Sequence, residues 1–179
     1  MKTYIALFRG INVGSTRSLP MKELTSILEA LGCTNIKTYI QSGNVVFQYE
    51  GDEKSLVNRI SSEVKKKREF EPQVLLLTAN DIQKAMKVNP FSEAESDPKT
   101  LHLGFLTSKP VNPDLKKLES LKTESERFAL KGNVFYLHAP DGIGRSKLAA
   151  SSEKLLGVAM TDRNWRTVCK INDMVGELE

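Results

Sequence analysis

One order of predicted elements occurs twice along this chain, and that doubling constrains its fold more than any single motif does. Residues 3–8 (Thr-Tyr-Ile-Ala-Leu-Phe) are a nearly unbroken apolar run, read as a buried strand. Pro20 suits a first helical turn, Met21, Leu24, Ile27, Leu28 and Leu31 share one helical face, and Gly32 ends it. Residues 35–40 and 44–49 are strands around Gln41-Ser42-Gly43-Asn44, a hairpin signal. Leu56, Val57, Ile60 and Val64 mark a second helix, and Gln73 to Leu77 a strand. Asn80 or Asp81 then caps a short helix carrying Ile82, Ala85 and Met86.

Residues 89–99 have the composition of a linker, and after them the order restarts. A strand at 100–107 precedes a short helix opened by Pro113, with Leu115, Leu118 and Leu121. Strands at 126–130 and 134–138 flank Lys131-Gly132-Asn133. A helix from Ser146 to Leu156, a short strand from Val158 to Met160 and a helix marked by Trp165, Val168, Cys169, Asn172 and Val175 complete the half. Each half reads β-α-β-β-α-β and then α, and its first six elements are the order of the ferredoxin-like split βαβ fold. The expected class is α+β: two ferredoxin-like subdomains in tandem, over 1–90 and 98–179, each with an extra helix.

Composition agrees with a globular chain. Of 179 residues, 40% are hydrophobic and 27% charged, which excludes a disordered, collagenous or coiled-coil polypeptide. Two cysteines, neither in a C-x-x-C pair, argue for reduced thiols and against a disulfide framework or a zinc site. The N-terminal apolar run is too short for a signal sequence, and no stretch approaches the ~18 residues of a membrane span. A soluble cytoplasmic protein that uses no membrane is the default. The net charge is +4, and all of it lies in residues 1–89, which hold 13 Lys and Arg against 9 Asp and Glu. Much of that surplus is Lys65-Lys66-Lys67-Arg68 at a helix end, where cations complement the helix dipole.

Four segments carry a family resemblance: Ala6-Leu7-Phe8-Arg9-Gly10-Ile11-Asn12-Val13-Gly14, Thr38-Tyr39-Ile40-Gln41-Ser42-Gly43-Asn44-Val45-Val46-Phe47, Gly142-Ile143-Gly144-Arg145-Ser146-Lys147-Leu148 and Thr161-Asp162-Arg163-Asn164-Trp165-Arg166-Thr167-Val168. In this order and spacing the chain resembles the bacterial family known as domain of unknown function 1697. The resemblance implies two ferredoxin-like subdomains and no established activity. Where it implies a second glycine after Gly14, this chain has Ser15.

In a split βαβ unit the third strand lies between the first two, so strand ends and loops gather at defined sheet edges. That places Arg9 and Asn12 beside Gln41, Ser42 and Asn44 in the first unit. In the second it places Gly142, Gly144, Arg145, Ser146 and Lys147 beside Asp162, Arg163 and Arg166. Cations at helix starts are disfavoured by ~0.3–1 kcal/mol each, and an anion bound there reverses the sign. Glycines, backbone N–H groups and guanidinium forks together suit a phosphate. If both edges face one cleft between the subdomains, the clusters form one anion site for a phosphorylated metabolite or nucleotide.

Other readings stay open. The arginines can instead bind carbonyls or Asp141 and Asp162, with Asp162 also a helix cap, and Asn12 and Asn44 can brace loops. The basic first half can bind nucleic acid, although Lys131-Gly132-Asn133-Val134-Phe135-Tyr136 matches only the opening of an RNA-recognition motif. An enzyme using the same cleft is a third reading, without a base that stands out. His102 and His138 read as packing or surface residues and Trp165 as core. No metal or cofactor is implied.

Overall fold

The structure is a computed structural model that describes all 179 residues. The first half runs β1 (Lys2–Arg9), α1 (Met21–Ala30), β2 (Thr34–Tyr39), β3 (Asn44–Tyr49), α2 (Glu53–Arg68), β4 (Gln73–Thr78) and α3 (Ala79–Lys87). The second runs β5 (Leu101–Leu106), α4 (Leu115–Leu121), β6 (Arg127–Lys131), β7 (Val134–His138), α5 (Lys147–Leu156), β8 (Met160–Asn164) and α6 (Trp165–Gly176). Each half forms a four-stranded antiparallel sheet, ordered β2-β3-β1-β4 in one and β6-β7-β5-β8 in the other. These are two ferredoxin-like subdomains. No helix is long and apolar enough to cross a membrane.

The apolar strands are central because both their edges and both their faces are used. In β1, Tyr4, Ala6 and Phe8 join Val45 and Phe47 of β3 beneath α1 and α2, which contribute Leu24, Ile27, Leu28, Leu56, Ile60 and Val64. The intervening Ile5 and Leu7 point to the opposite face and are equally buried, as is Val46. Strand β5 behaves alike, with all six residues buried. Its helix-facing partners include Phe135, Leu137, Leu148, Leu156 and Met160.

The chain divides by compactness into Met1–Lys84 with Lys170–Glu179, and Ala85–Cys169. The expected division ran 1–90 and 98–179; the boundaries found here fall inside α3 and α6. The segment expected as a linker contains a 3₁₀ turn at Ser92–Ser96, with Phe91 and Ala94 buried.

Three local expectations change. The last strand is Met160–Asn164, not 158–160, because its backbone pairs with β5 from Leu106↔Met160 to His102↔Asn164. Polar side chains are tolerated there because β8 is an edge strand. The α3 start is closed by Thr78 rather than Asn80: its hydroxyl accepts from the Asp81 amide at 3.2 Å, while the Asp81 carboxylate takes the Thr78 amide at 2.8 Å. The α6 start is closed by the Asn164 side chain, which accepts from the Thr167 amide at 3.0 Å, so Asp162 is not its cap.

Gly43 is required twice over. Its φ is +81°, and a Cβ there would lie 2.5 Å from Phe8 Cβ and 2.7 Å from Ile11 Cδ1. Gly43→Ala is expected to lower the unfolding free energy by about 2–4 kcal/mol, combining backbone strain with overpacking. A urea melt that moves by less than 0.5 kcal/mol, as at a neutral surface site, would contradict this.

Candidate functional site

The first polar cluster assembles as the sheet order requires. Leu7 pairs with Asn44, and the Phe8 amide donates to the Gly43 carbonyl at 2.8 Å, which brings the 10–19 loop against the 40–43 turn. The Asn12 and Asn44 side chains are committed within the fold. The Asn12 side chain donates to the carbonyls of Leu19 (2.8 Å) and Gln41 (2.7 Å) and accepts from the Leu19 amide (2.7 Å). Its φ is +54°, a conformation asparagine tolerates better than most residues. Asn44 is fully buried and donates to the Tyr39 carbonyl at 3.1 Å and the Ser42 hydroxyl at 3.0 Å. Half-buried Arg9 reaches Gln73 Oε1 at 3.3 Å, and the Gln41 and Ser42 residues are exposed. Asn12 and Asn44 therefore brace the loops.

The Lys65–Arg68 run is largely neutralised. Lys65 pairs with Glu71 at 3.3 Å, Lys66 with Glu63 at 2.6 Å, and Arg68 Nε with Glu23 Oε1 at 2.9 Å. The Arg68 guanidinium holds the Glu23 carboxyl below its ordinary range.

The second cluster is built differently. Strands β7 and β8 both run antiparallel to β5, so their C-terminal ends share one sheet edge. The entry to β5 lies between them: the Ala139 amide donates to the Thr100 carbonyl at 2.9 Å and the Arg166 amide to that of Pro98 at 3.3 Å. Gly142 has φ +84° and turns the chain back, its amide on the Ala139 carbonyl at 2.9 Å. Ser146 caps α5, accepting from the Ala149 amide at 3.0 Å. The amides of Lys147 and Leu148, in the first turn, have no helical acceptor. Gly144 has no left-handed φ, and a Cβ on it would touch nothing, so the fold makes no use of its missing side chain. Arg145, Lys147 and Arg166 are exposed and carry no ion pair.

Arg163 departs from expectation. It lies in a strand, opposite Leu103, and so faces away from the side that carries His102 and α5. Its Nη1 donates to the Asp162 carbonyl at 2.8 Å, and burial pushes its guanidinium below the usual range. Period-two alternation separates it from Arg145 and Lys147.

Two histidine networks complete this edge. Buried His102 places Nδ1 2.8 Å from Asp162 Oδ2 and Nε2 3.1 Å from the Lys99 carbonyl. Its signal was legible in sequence: a polar residue in the register of a core-facing strand position. His138 Nδ1 accepts from Arg127 Nη2 at 3.0 Å, and that guanidinium also pairs with Glu93 and stacks 4.8 Å over Phe91. Burial, and then the Arg127 charge, lower the His138 value. No three His, Cys, Asp or Glu side chains come together as a bound metal would need.

Residues 1–136 match the family model described as Protein of unknown function (DUF1697). The chain belongs to this family. Among solved structures it is similar to the conserved bacterial protein SP0830 from Streptococcus pneumoniae, with 24% identity, a TM-score of 0.74, and coverage of 97% of this chain and 98% of the other. That likeness extends to the fold. No curated protein matches in sequence.

Two outcomes follow for this DUF1697 protein. Asn12→Ala removes three hydrogen bonds at a left-handed position and is expected to cost about 2–4 kcal/mol in urea denaturation. A change within ~0.5 kcal/mol would show that the loop stands without its brace. For His138 the sign runs with alkalinity, because the fold favours the neutral ring. Its contribution is complete above the ordinary value of 6.5 and is lost as pH falls below it. His138→Gln keeps an acceptor for Arg127 but cannot titrate, so the loss of stability between pH 7 and pH 5 should shrink. An unchanged loss would place that titration elsewhere.

Proposed function

We propose that this protein binds a phosphorylated small molecule or nucleotide at the sheet edge formed by residues 142–147 and the start of α6. The observation that carries the reading is the trio Arg145, Lys147 and Arg166, exposed cations without carboxylate partners at one edge. Lys65, Lys66 and Arg68, by contrast, are neutralised within the fold. Two further features support it. The free amides of the first turn of α5 suit an anionic oxygen, and Gly144 allows close approach of a ligand to backbone. Arg145 and Lys147 are not placed for fold stability, because a positive charge opposes the dipole at the start of α5. That neither cysteine is in a disulfide supports a reducing, cytoplasmic setting.

Thermal melts with inorganic phosphate and with a nucleoside monophosphate test the reading. At a hundredfold excess over Kd, binding adds ~2.7 kcal/mol, which is about 5–10 °C at this chain length. Arg145→Ala should weaken binding about tenfold. Gly144→Ala should leave the ligand-free melt unchanged and still weaken binding. Absence of stabilisation by any phosphate would overturn the proposal. Steeply salt-dependent affinity for single-stranded RNA, surviving Arg145→Ala, would favour the nucleic-acid reading.

A further inference from the structure

His102 is 7% exposed, and both of its ring nitrogens face oxygen: Asp162 Oδ2 at 2.8 Å and the Lys99 carbonyl at 3.1 Å. These two contacts hold the ring in one orientation and tie it to the Asp162 carboxylate. The other carboxylate oxygen, Oδ1, takes no donor from the protein, and the Asp162 side chain is 38% exposed. An acceptor is thus held rigidly by a buried ring and turned toward solvent.

Its position matters. Asp162 shares the helix-facing side of the sheet with His102 and stands four residues before Arg166. The Pro98–Thr100 segment that receives His102 Nε2 also receives the Arg166 amide. The acceptor and one cation of the trio are therefore fixed by the same short piece of backbone. A carboxylate oxygen held there accepts, so what it takes from a ligand is a donor such as a hydroxyl.

We propose that Asp162 reads a hydroxyl group of the ligand, so that the ligand is a phosphorylated polyol: a sugar phosphate, or the ribose phosphate of a nucleotide. The proposal rests on the anion reading above and names its substrate class. His102 is a positioning residue that acts through Asp162.

Isothermal titration of the full chain with inorganic phosphate, ethyl phosphate, ribose 5-phosphate and phosphoethanolamine tests it. Ribose 5-phosphate should bind about tenfold tighter than ethyl phosphate, as expected for a site built to accept from a hydroxyl. In Asp162→Ala that ratio should fall to about one, while ethyl phosphate still binds. His102→Gln should lower the same ratio, which a merely structural role would not do. The wild-type ratio needs no variant to fold: equal affinity for the two esters overturns the hydroxyl reading and leaves the anion site standing. A preference for phosphoethanolamine also overturns it, since the donor would be an ammonium. So does a ratio that survives in a folded Asp162→Ala protein. Failure of all four phosphates to bind removes the anion reading and this proposal together.

Discussion

Each sheet depends on one strand that is paired along both edges and buried on both faces. For β1 the partners are β3 and β4; for β5 they are β7 and β8. Ile5, Ala6 and Leu7 have no exposure at all, and Leu101 and Leu103 none. A strand in that position cannot alternate apolar and polar residues, since neither side of its pleat meets water. Burying a Leu or Ile side chain contributes roughly 1.5–3 kcal/mol, so a handful of such positions outweighs any surface interaction in this protein. The other strands take their register from these two.

That arrangement makes sheet edges the natural place for polar chemistry, and the two edges differ in kind. At the end of β1 the polar side chains hold the chain in left-handed turns: Gly10, Asn12, Gly14, Arg17, Ile40 and Gly43 all have positive φ. Each such turn leaves backbone groups to satisfy, and Asn12 satisfies three. At the ends of β7 and β8 the loop closes with a single left-handed glycine, Gly142, and the serine cap needs no help from its charged neighbours. Asn12 and Asn44 are consumed by structure in the first case; Arg145, Lys147 and Arg166 carry no ion pair in the second.

Charge follows the same logic. The +4 surplus belongs to the half in which carboxylates neutralise Lys65, Lys66 and Arg68. The unpaired trio belongs to the half whose charges balance. Net charge says little about where an anion would go; local pairing decides it, because screening limits each exposed charge to about 10 Å of influence.

Much of the architecture was legible in the chain. The β-α-β-β-α-β order, the apolar central strands and the helix faces follow from periodicity, which is a local property. Which loops share an edge was legible too, because sheet order fixes it. What the sequence could not decide was parity and partnership. A shift in where β8 starts turned Arg163 to the far face, and only pairing with β5 sets that register. Whether Asn12 braces a loop or greets a ligand depends on which carbonyls lie within hydrogen-bond reach. Whether His102 is an ordinary core residue or holds Asp162 depends on a contact between residues sixty positions apart. The residues by themselves determined the doubled fold; tertiary structure decided which polar groups are spent and which are left, because hydrogen bonds form between neighbours in space.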